Sequence, residues 1–297
     1  MPFLVTTKQE MQERNINQLD FILVSADAYV DHPAFAAALL GRFLEAHGFT
    51  VGLITQPDWR RTDDFSSLGA PRLAFGVSGG NVDSMVSHYT ADKKRRREDD
   101  FSPGGQIGFR PDRPTIVYTN RLREIYPGIP VIIGGIEASL RRAAHYDYWD
   151  NKVRRSILLD SRADLLIYGM GEYQLLEVLQ RLRQGEAIAD ITEIRNTAWV
   201  TRQEPGAEVV RLPSLEEVSR SHDAFNRTMV ILLKENNPYQ GHVLAQGHAN
   251  QWVMLNPPAM PLTSRQLDHI YEQPFTRLAH PHYQEAGGIP ALETVQF

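Results

Sequence analysis

Phe21-Ile22-Leu23-Val24-Ser25-Ala26 is an apolar run that breaks into Asp27-Ala28-Tyr29-Val30-Asp31-His32-Pro33, and an alanine- and leucine-rich stretch follows. A short continuous apolar run ending in a polar loop reads as a buried strand. Pro33, with its fixed φ, suits the first turn of a helix, so a helix is expected over residues 34–47, closed by Gly48. This is the strand–loop–helix unit of an open parallel sheet. It brings two carboxylates and an imidazole to the carboxyl end of a strand, where open α/β sheets bind ligands.

The unit recurs along the chain. A strand over 51–55 ends in Gln56-Pro57-Asp58-Trp59. A strand over 72–77 runs into Ser78-Gly79-Gly80-Asn81-Val82-Asp83. One over 130–133 runs into Gly134-Gly135-Ile136-Glu137, and one over 164–168 into Gly169-Met170-Gly171-Glu172, with a helix over 173–183. Short, almost continuously apolar strands separated by helical patterns predict a parallel sheet covered on both faces. The expected fold class is α/β: a Rossmann-like, flavodoxin-like five-stranded parallel sheet in the order 2-1-3-4-5. That order places Asp27–His32 and Ser78–Asp83 across one crevice.

Several residues at that edge could carry chemistry. Asp27, Asp31 and His32 could hold hydroxyl groups, bind a metal or exchange protons near neutral pH. Equally, Asp31 could cap the helix that Pro33 opens. Ser78, Gly79, Gly80 and Asn81 could cradle an anion at a helix start or form a tight turn. Gly134, Gly135 and Glu137, Gly171 and Glu172 repeat the design with a carboxylate, and Asp58 ends the second strand. None matches the dinucleotide fingerprint. Together they predict a small-molecule crevice, with no catalytic residue and no metal ligand assigned. Arg141-Arg142 and His145-Tyr146-Asp147-Tyr148-Trp149 suit an interface or a buried corner.

Length allows one large or two modest domains, and 42% hydrophobic residues suffice for a sizeable core. The net charge of -5 gives no general reason to expect nucleic acid. Lys93-Lys94-Arg95-Arg96-Arg97 is followed at once by Glu98-Asp99-Asp100, which reads first as a solvated, self-neutralised stretch. No apolar stretch reaches the roughly 18 residues of a membrane span, and no signal peptide is visible, so a cytoplasmic protein is expected. There is no cysteine, which excludes disulfides, thiolate nucleophiles and cysteine-bound iron–sulfur clusters within these residues.

Past Gly185 the pattern changes. Strands over 197–201 and 208–212 around Glu204-Pro205-Gly206 predict a hairpin, and a helix is expected over 215–234. The remainder is proline-rich and reads as extended linker with one short helix over 264–271. The expected organisation is an N-terminal arm (1–19), a Rossmann-like domain (20–190) and a mixed hairpin, helix and linker region (191–297).

Asp27-Ala28-Tyr29-Val30-Asp31-His32-Pro33, Gln56-Pro57-Asp58-Trp59, Tyr89-Thr90-Ala91-Asp92, Gly134-Gly135-Ile136-Glu137-Ala138-Ser139-Leu140-Arg141-Arg142 and His145-Tyr146-Asp147-Tyr148-Trp149 closely resemble the YgiQ-type (UPF0313) family of radical S-adenosylmethionine (SAM) proteins. The resemblance runs from Asp20 to Phe297. It implies a following radical SAM core as partner, with a 4Fe-4S cluster on three closely spaced cysteines and S-adenosylmethionine on its open iron. It therefore implies a fragment that binds a small-molecule ligand beside that core. The sheet also resembles cobalamin-binding domains, but the Asp-x-His-x-x-Gly motif that supplies a cobalt ligand is absent, and His32 lies in the first strand–helix loop. A free-standing nucleotide- or corrinoid-binding module and a metal-dependent hydrolase using Asp27, Asp31 and His32 remain as alternatives.

Overall fold

The computed structural model describes residues 2–295. The chain divides into two compact units, one of Met1–Val131, Gly135–Glu137 and Leu262–Phe297, the other of Ile132–Gly134 and Ala138–Pro261. These do not follow the expected 20–190 and 191–297 boundaries, because the C-terminal stretch from Leu262 packs with the first strands.

The first unit holds three parallel strands, β1 (Phe21–Ser25), β2 (Val51–Thr55) and β3 (Ala74–Ser78), with β1 in the middle. Phe21 aligns with Val51 on one side and with Ala74 on the other. All five β1 residues are buried, as an apolar strand covered on both faces requires. Beyond β3 the ladder continues to Pro130, whose carbonyl accepts from Phe75 N at 2.9 Å.

Among the described residues four α-helices of this unit precede residue 126. The first, α1 (Lys8–Glu13), opens with a reciprocal capping box between Thr7 and Glu10. The alanine- and leucine-rich α2 (Ala36–Ala46) buries Ala38, Leu39, Phe43 and Leu44. The short α3 (Ser84–His88) is capped by the Asp83 side chain, and α4 (Pro114–Ile125) starts on its proline.

The expected linker character does not extend over 262–297. Val30 and Ala279 form an antiparallel bridge. The carbonyl of Tyr29 accepts from His280 N at 3.0 Å, and that of Asp31 from Arg277 N at 2.8 Å. The Tyr283 hydroxyl accepts from Tyr29 N at 3.1 Å. A proline-punctuated segment thus satisfies the backbone of the β1–α2 loop, which would otherwise be buried without partners.

In the second unit the parallel pair expected of residues 130–133 and 164–168 forms, and antiparallel strands join it, a mixed sheet that corrects the expectation of five parallel strands alone. The unit contains β4 (Val131–Gly134, from Ile132 onward), β5 (His145–Asp147), β6 (Lys152–Arg154), β7 (Leu165–Ile167), β8 (Thr197–Thr201), β9 (Val210–Leu212), β10 (Leu244–His248) and β11 (Gln251–Leu255). β4 and β7 run parallel, but β7–β8, β8–β11 and β10–β11 are antiparallel. β5 and β6 form a separate two-stranded ribbon.

The hairpin expected between 197–201 and 208–212 does not form. β8 pairs with β7 and β11, while β9 runs parallel to β10. The actual hairpin is β10–β11, turning at Ala249-Asn250 with Ala249 at φ 54°. An alanine in a position that favours glycine or asparagine leaves little turn signal in the sequence. The helix expected over 215–234 is two helices, Leu215–Arg220 and His222–Lys234. Ser221 breaks the first in extended backbone and its hydroxyl caps the second. Among the described residues no helix is long and apolar enough to cross a membrane.

Candidate functional site

The carboxyl ends of β1 and β3 meet in the first unit, as the strand–loop–helix reading requires. What lies there is a buried charge network. Asp27 follows β1 directly and is 4% exposed. Its Oδ1 accepts from Arg110 Nη1 at 2.8 Å and its Oδ2 from Asn81 N at 2.6 Å. Arg110, 1% exposed, also binds Asp99 in a two-pronged pair through Nε (2.8 Å) and Nη2. Asp99 accepts in addition from the Ser102 hydroxyl at 2.9 Å and Phe101 N at 3.2 Å.

Burial sets the titration of this network. It pushes Asp27 up to about 6, against the opposing pull of Arg110 and the Asn81 N–H and with the help of neighbouring Asp99. Burial would also raise Asp99, but its paired Arg110 guanidinium, Ser102 and Phe101 outweigh it and hold that carboxyl below its ordinary range. Of the two acids sharing one guanidinium, Asp99 therefore has the firmer claim on the negative charge.

Asp31 forms a second buried pair. Both its oxygens take hydrogen bonds from Arg42 of α2, at 3.0 Å from Nε and 2.6 Å from Nη2, and Oδ2 also accepts from Thr276 N at 2.9 Å. This replaces the simple helix cap that the sequence allowed: no side-chain cap is made at the start of α2. His32 is buried, and its Nδ1 accepts from Ala34 N at 3.1 Å. Burial, reinforced by Arg277, lowers its affinity for a proton.

The turn after β3 closes onto the same network. Asn81 donates to the Ala34 carbonyl at 2.7 Å and accepts from Ala36 N at 3.2 Å, which ties the two loops together. Ser78 Oγ accepts from Gly80 N at 3.2 Å. A Cβ on Gly80 would lie 2.1 Å from the Asp27 carboxylate, and φ there is +95°. A Cβ on Gly79 would meet Glu137 Cβ at 3.0 Å, and one on Gly135 would meet Ser78 Oγ at 2.8 Å. These glycines are required by close protein packing. Glu137 is fully buried, accepting from the Ser84 hydroxyl at 2.5 Å and Thr115 N at 3.1 Å. The cavity left between Asp27, Phe35, Ser78 and Gly80 is about 10 Å³, room for about one water molecule.

The other expected site residues lie elsewhere. Asp58 is 40% exposed and pairs with Arg60 at 3.2 Å. Gly134, Gly171 and Glu172 belong to the second unit. Gly171 starts the helix Glu172–Arg183, and burial raises the Glu172 carboxyl. In that unit Gly169 N donates to Ser139 Oγ at 3.1 Å, and the Arg142 guanidinium lies 4.8 Å from the Tyr168 ring centre. Among the described residues no group of three or more His, Asp or Glu side chains could hold a metal ion.

Three residues central to the first-unit network carried no signal of it in the sequence. Arg110 and Asp99 sit in a long insertion, far in sequence from Asp27. Gln56, at φ 48°, donates to Ser102 Oγ at 2.7 Å from a backbone region that non-glycine residues seldom adopt. Only the basic-acidic composition around Asp99 and the proline after Gln56 marked these places at all.

The sequence matches the family model described as radical SAM N-terminal over residues 3–297. A UPF0313 protein of Clostridium botulinum (strain 657 / Type Ba4) is 50% identical over 298 residues, covering 100% of this chain and 47% of that relative. A UPF0313 protein of Thermotoga neapolitana is 49% identical over 295 residues, covering 99% and 52%. The chain thus spans about half the length of the curated relatives it matches. Among solved structures, the radical S-adenosylmethionine methyltransferase TsrM from Kitasatospora setae, with tryptophan substrate and a SAM analogue bound, overlaps 61% of this chain and 28% of its own, with a TM-score of 0.41 and 20% identity. On the match over nearly all its residues, the chain, which is similar to UPF0313 proteins, belongs to the radical SAM N-terminal family.

Proposed function

We propose that this chain is the scaffold half of a radical SAM protein, holding a ligand beside a catalytic core encoded by sequence outside these 297 residues. The family match over residues 3–297, in a sequence with no cysteine, carries this reading. A radical SAM cluster supplies reductive cleavage of S-adenosylmethionine and needs thiolate ligands. The residues present do not fit a cluster, and no step is assigned to them through one.

The chain's own contribution is a rigid sheet edge. The paired Asp27, Asp31 and Glu137 hold the loops in place, and the turn Ser78-Gly79-Gly80-Asn81, tied to Asp27 and Ala34, braces the edge. His32, whose proton affinity burial lowers, offers its Nε2. In the second unit Glu172, raised by its surroundings, is suited to share a proton with a ligand. A corrinoid at the β1–β3 crevice is disfavoured by its volume of about 10 Å³. A metal-dependent hydrolase is disfavoured because Asp27 and Asp31 are already engaged by arginines.

The test is a chimera joining residues 1–297 to the remaining half of the C. botulinum relative, reconstituted anaerobically with iron and sulfide. The chimera should cleave S-adenosylmethionine reductively. A chimera that folds and loads its cluster, yet cleaves equally well with residues 1–297 deleted, would overturn the scaffold role.

A further inference from the structure

The first unit contains a cleft of about 580 Å³ that no expected site residue lines. That volume lies in the range of small-molecule sites, about 300–1,000 Å³. Its floor is Asp99 and Ser87, both tied to the buried Arg110. Ser87 Oγ accepts from Arg110 Nη2 at 3.2 Å. One wall is apolar, formed by Val82, Val86 and Phe101, and Val86 stands 51% exposed. Arg95, Arg96 and Arg97 complete the lining.

The sequence suggested that Glu98-Asp99-Asp100 neutralises these arginines, but the fold separates the charges. Asp99 turns inward to Arg110. Among the described residues Arg95 and Arg97 form no ion pair, while Arg96 Nε donates to the Val86 carbonyl at 3.0 Å and is held against α3. Glu98 and Asp100 remain exposed on the lining, with no arginine partner among the described residues. Unpaired guanidinium groups beside an apolar wall suit a planar or aliphatic body carrying phosphate, since guanidinium matches phosphate oxygens in two-pronged geometry.

We propose that this cleft binds a phosphorylated small molecule of nucleotide size. Arg95 and Arg97 grip the phosphate, Val82, Val86 and Phe101 pack the body, and Glu98 and Asp100 accept from its hydroxyl or amino groups. The assignment stands on the cleft alone and does not depend on a radical core.

Isothermal titration of the 297-residue chain with ADP, inorganic phosphate and adenosine tests it. ADP should bind at one site, inorganic phosphate should compete, and adenosine should bind at least tenfold more weakly. Arg95→Gln/Arg97→Gln should weaken ADP at least tenfold with its melting temperature unchanged. Should that variant fail to fold, competition between phosphate and ADP on the unaltered chain decides the same question. Failure of both ADP and phosphate to bind, or equal ADP affinity in the folded double variant, overturns the proposal. So does a single-stranded oligonucleotide that displaces ADP and binds more tightly, which would make the cleft a nucleic-acid surface.

Discussion

Arg110 Nη1 donates to Asp27 Oδ1 at 2.8 Å and so ties the end of the first strand to a residue 83 positions later. The same guanidinium is gripped by Asp99, so one cation serves two buried acids. Removing it strands both. Arg110→Met should cost about 3–5 kcal/mol in urea unfolding, the usual cost of breaking a buried pair from one side. Adding Asp27→Asn and Asp99→Asn should recover part of that loss; no recovery would mean the charges are not the cause.

Asp27 also predicts a pH dependence. Its folded value of about 6 lies above the ordinary 3.8, so protonation favours the folded state. Its contribution is fully present below pH 3.8, falls as pH rises and is gone above about 6. Asp99, lowered, acts oppositely: its contribution is present above its unfolded value and lost on acidification. Between pH 4 and 7 the stability of Asp27→Asn relative to the unaltered chain should therefore rise, on the order of 3 kcal/mol. Denaturant melts across that range measure it, and a flat difference would contradict the assigned titration.

Gly80 and Gly48 separate backbone strain from crowding. Both have positive φ, but a Cβ on Gly48 meets nothing within 4 Å, whereas one on Gly80 meets the Asp27 carboxylate. Gly48→Ala should cost about 1 kcal/mol from the left-handed backbone alone. Gly80→Ala should cost about 1–3 kcal/mol more from overpacking a buried charge. Equal losses in thermal melts would show that the turn yields.

The Arg42–Asp31 pair anchors residues 276–280 to the β1–α2 loop. Arg42→Ala leaves Asp31 buried without its guanidinium, with the Thr276 N–H still on Oδ2. Stability should fall by about 3–5 kcal/mol. Limited proteolysis should cut first near Arg277, while Arg60→Ala, which touches only the exposed Asp58 pair, should leave the cleavage pattern unchanged.

The first unit was legible where local pattern and tertiary structure agree. The apolar run at Phe21, the alanine-rich helix and Gly48 each fix a conformation through their own chemistry, and β1, β2 and β3 lie where that chemistry puts them. The second unit was misread where neighbours in space are distant in sequence. β8 finds β7 and β11 instead of β9, and nothing local to Thr197–Thr201 announces such partners. The site followed the same division. Asp27, Asp31 and Glu137 were visible as acids at strand ends, but Arg110, Arg42 and Ser84, which decide what those acids do, come from loops and helices whose approach no local pattern encodes.

The central claim is that this chain shapes a ligand edge and leaves the radical chemistry to residues outside it. Anaerobic reconstitution of the 297-residue chain with iron and sulfide, followed by iron and sulfide analysis and electron paramagnetic resonance after reduction, tests it most directly. The folded chain should carry no stoichiometric cluster; a bound 4Fe-4S cluster with its reduced-state signal would contradict the claim.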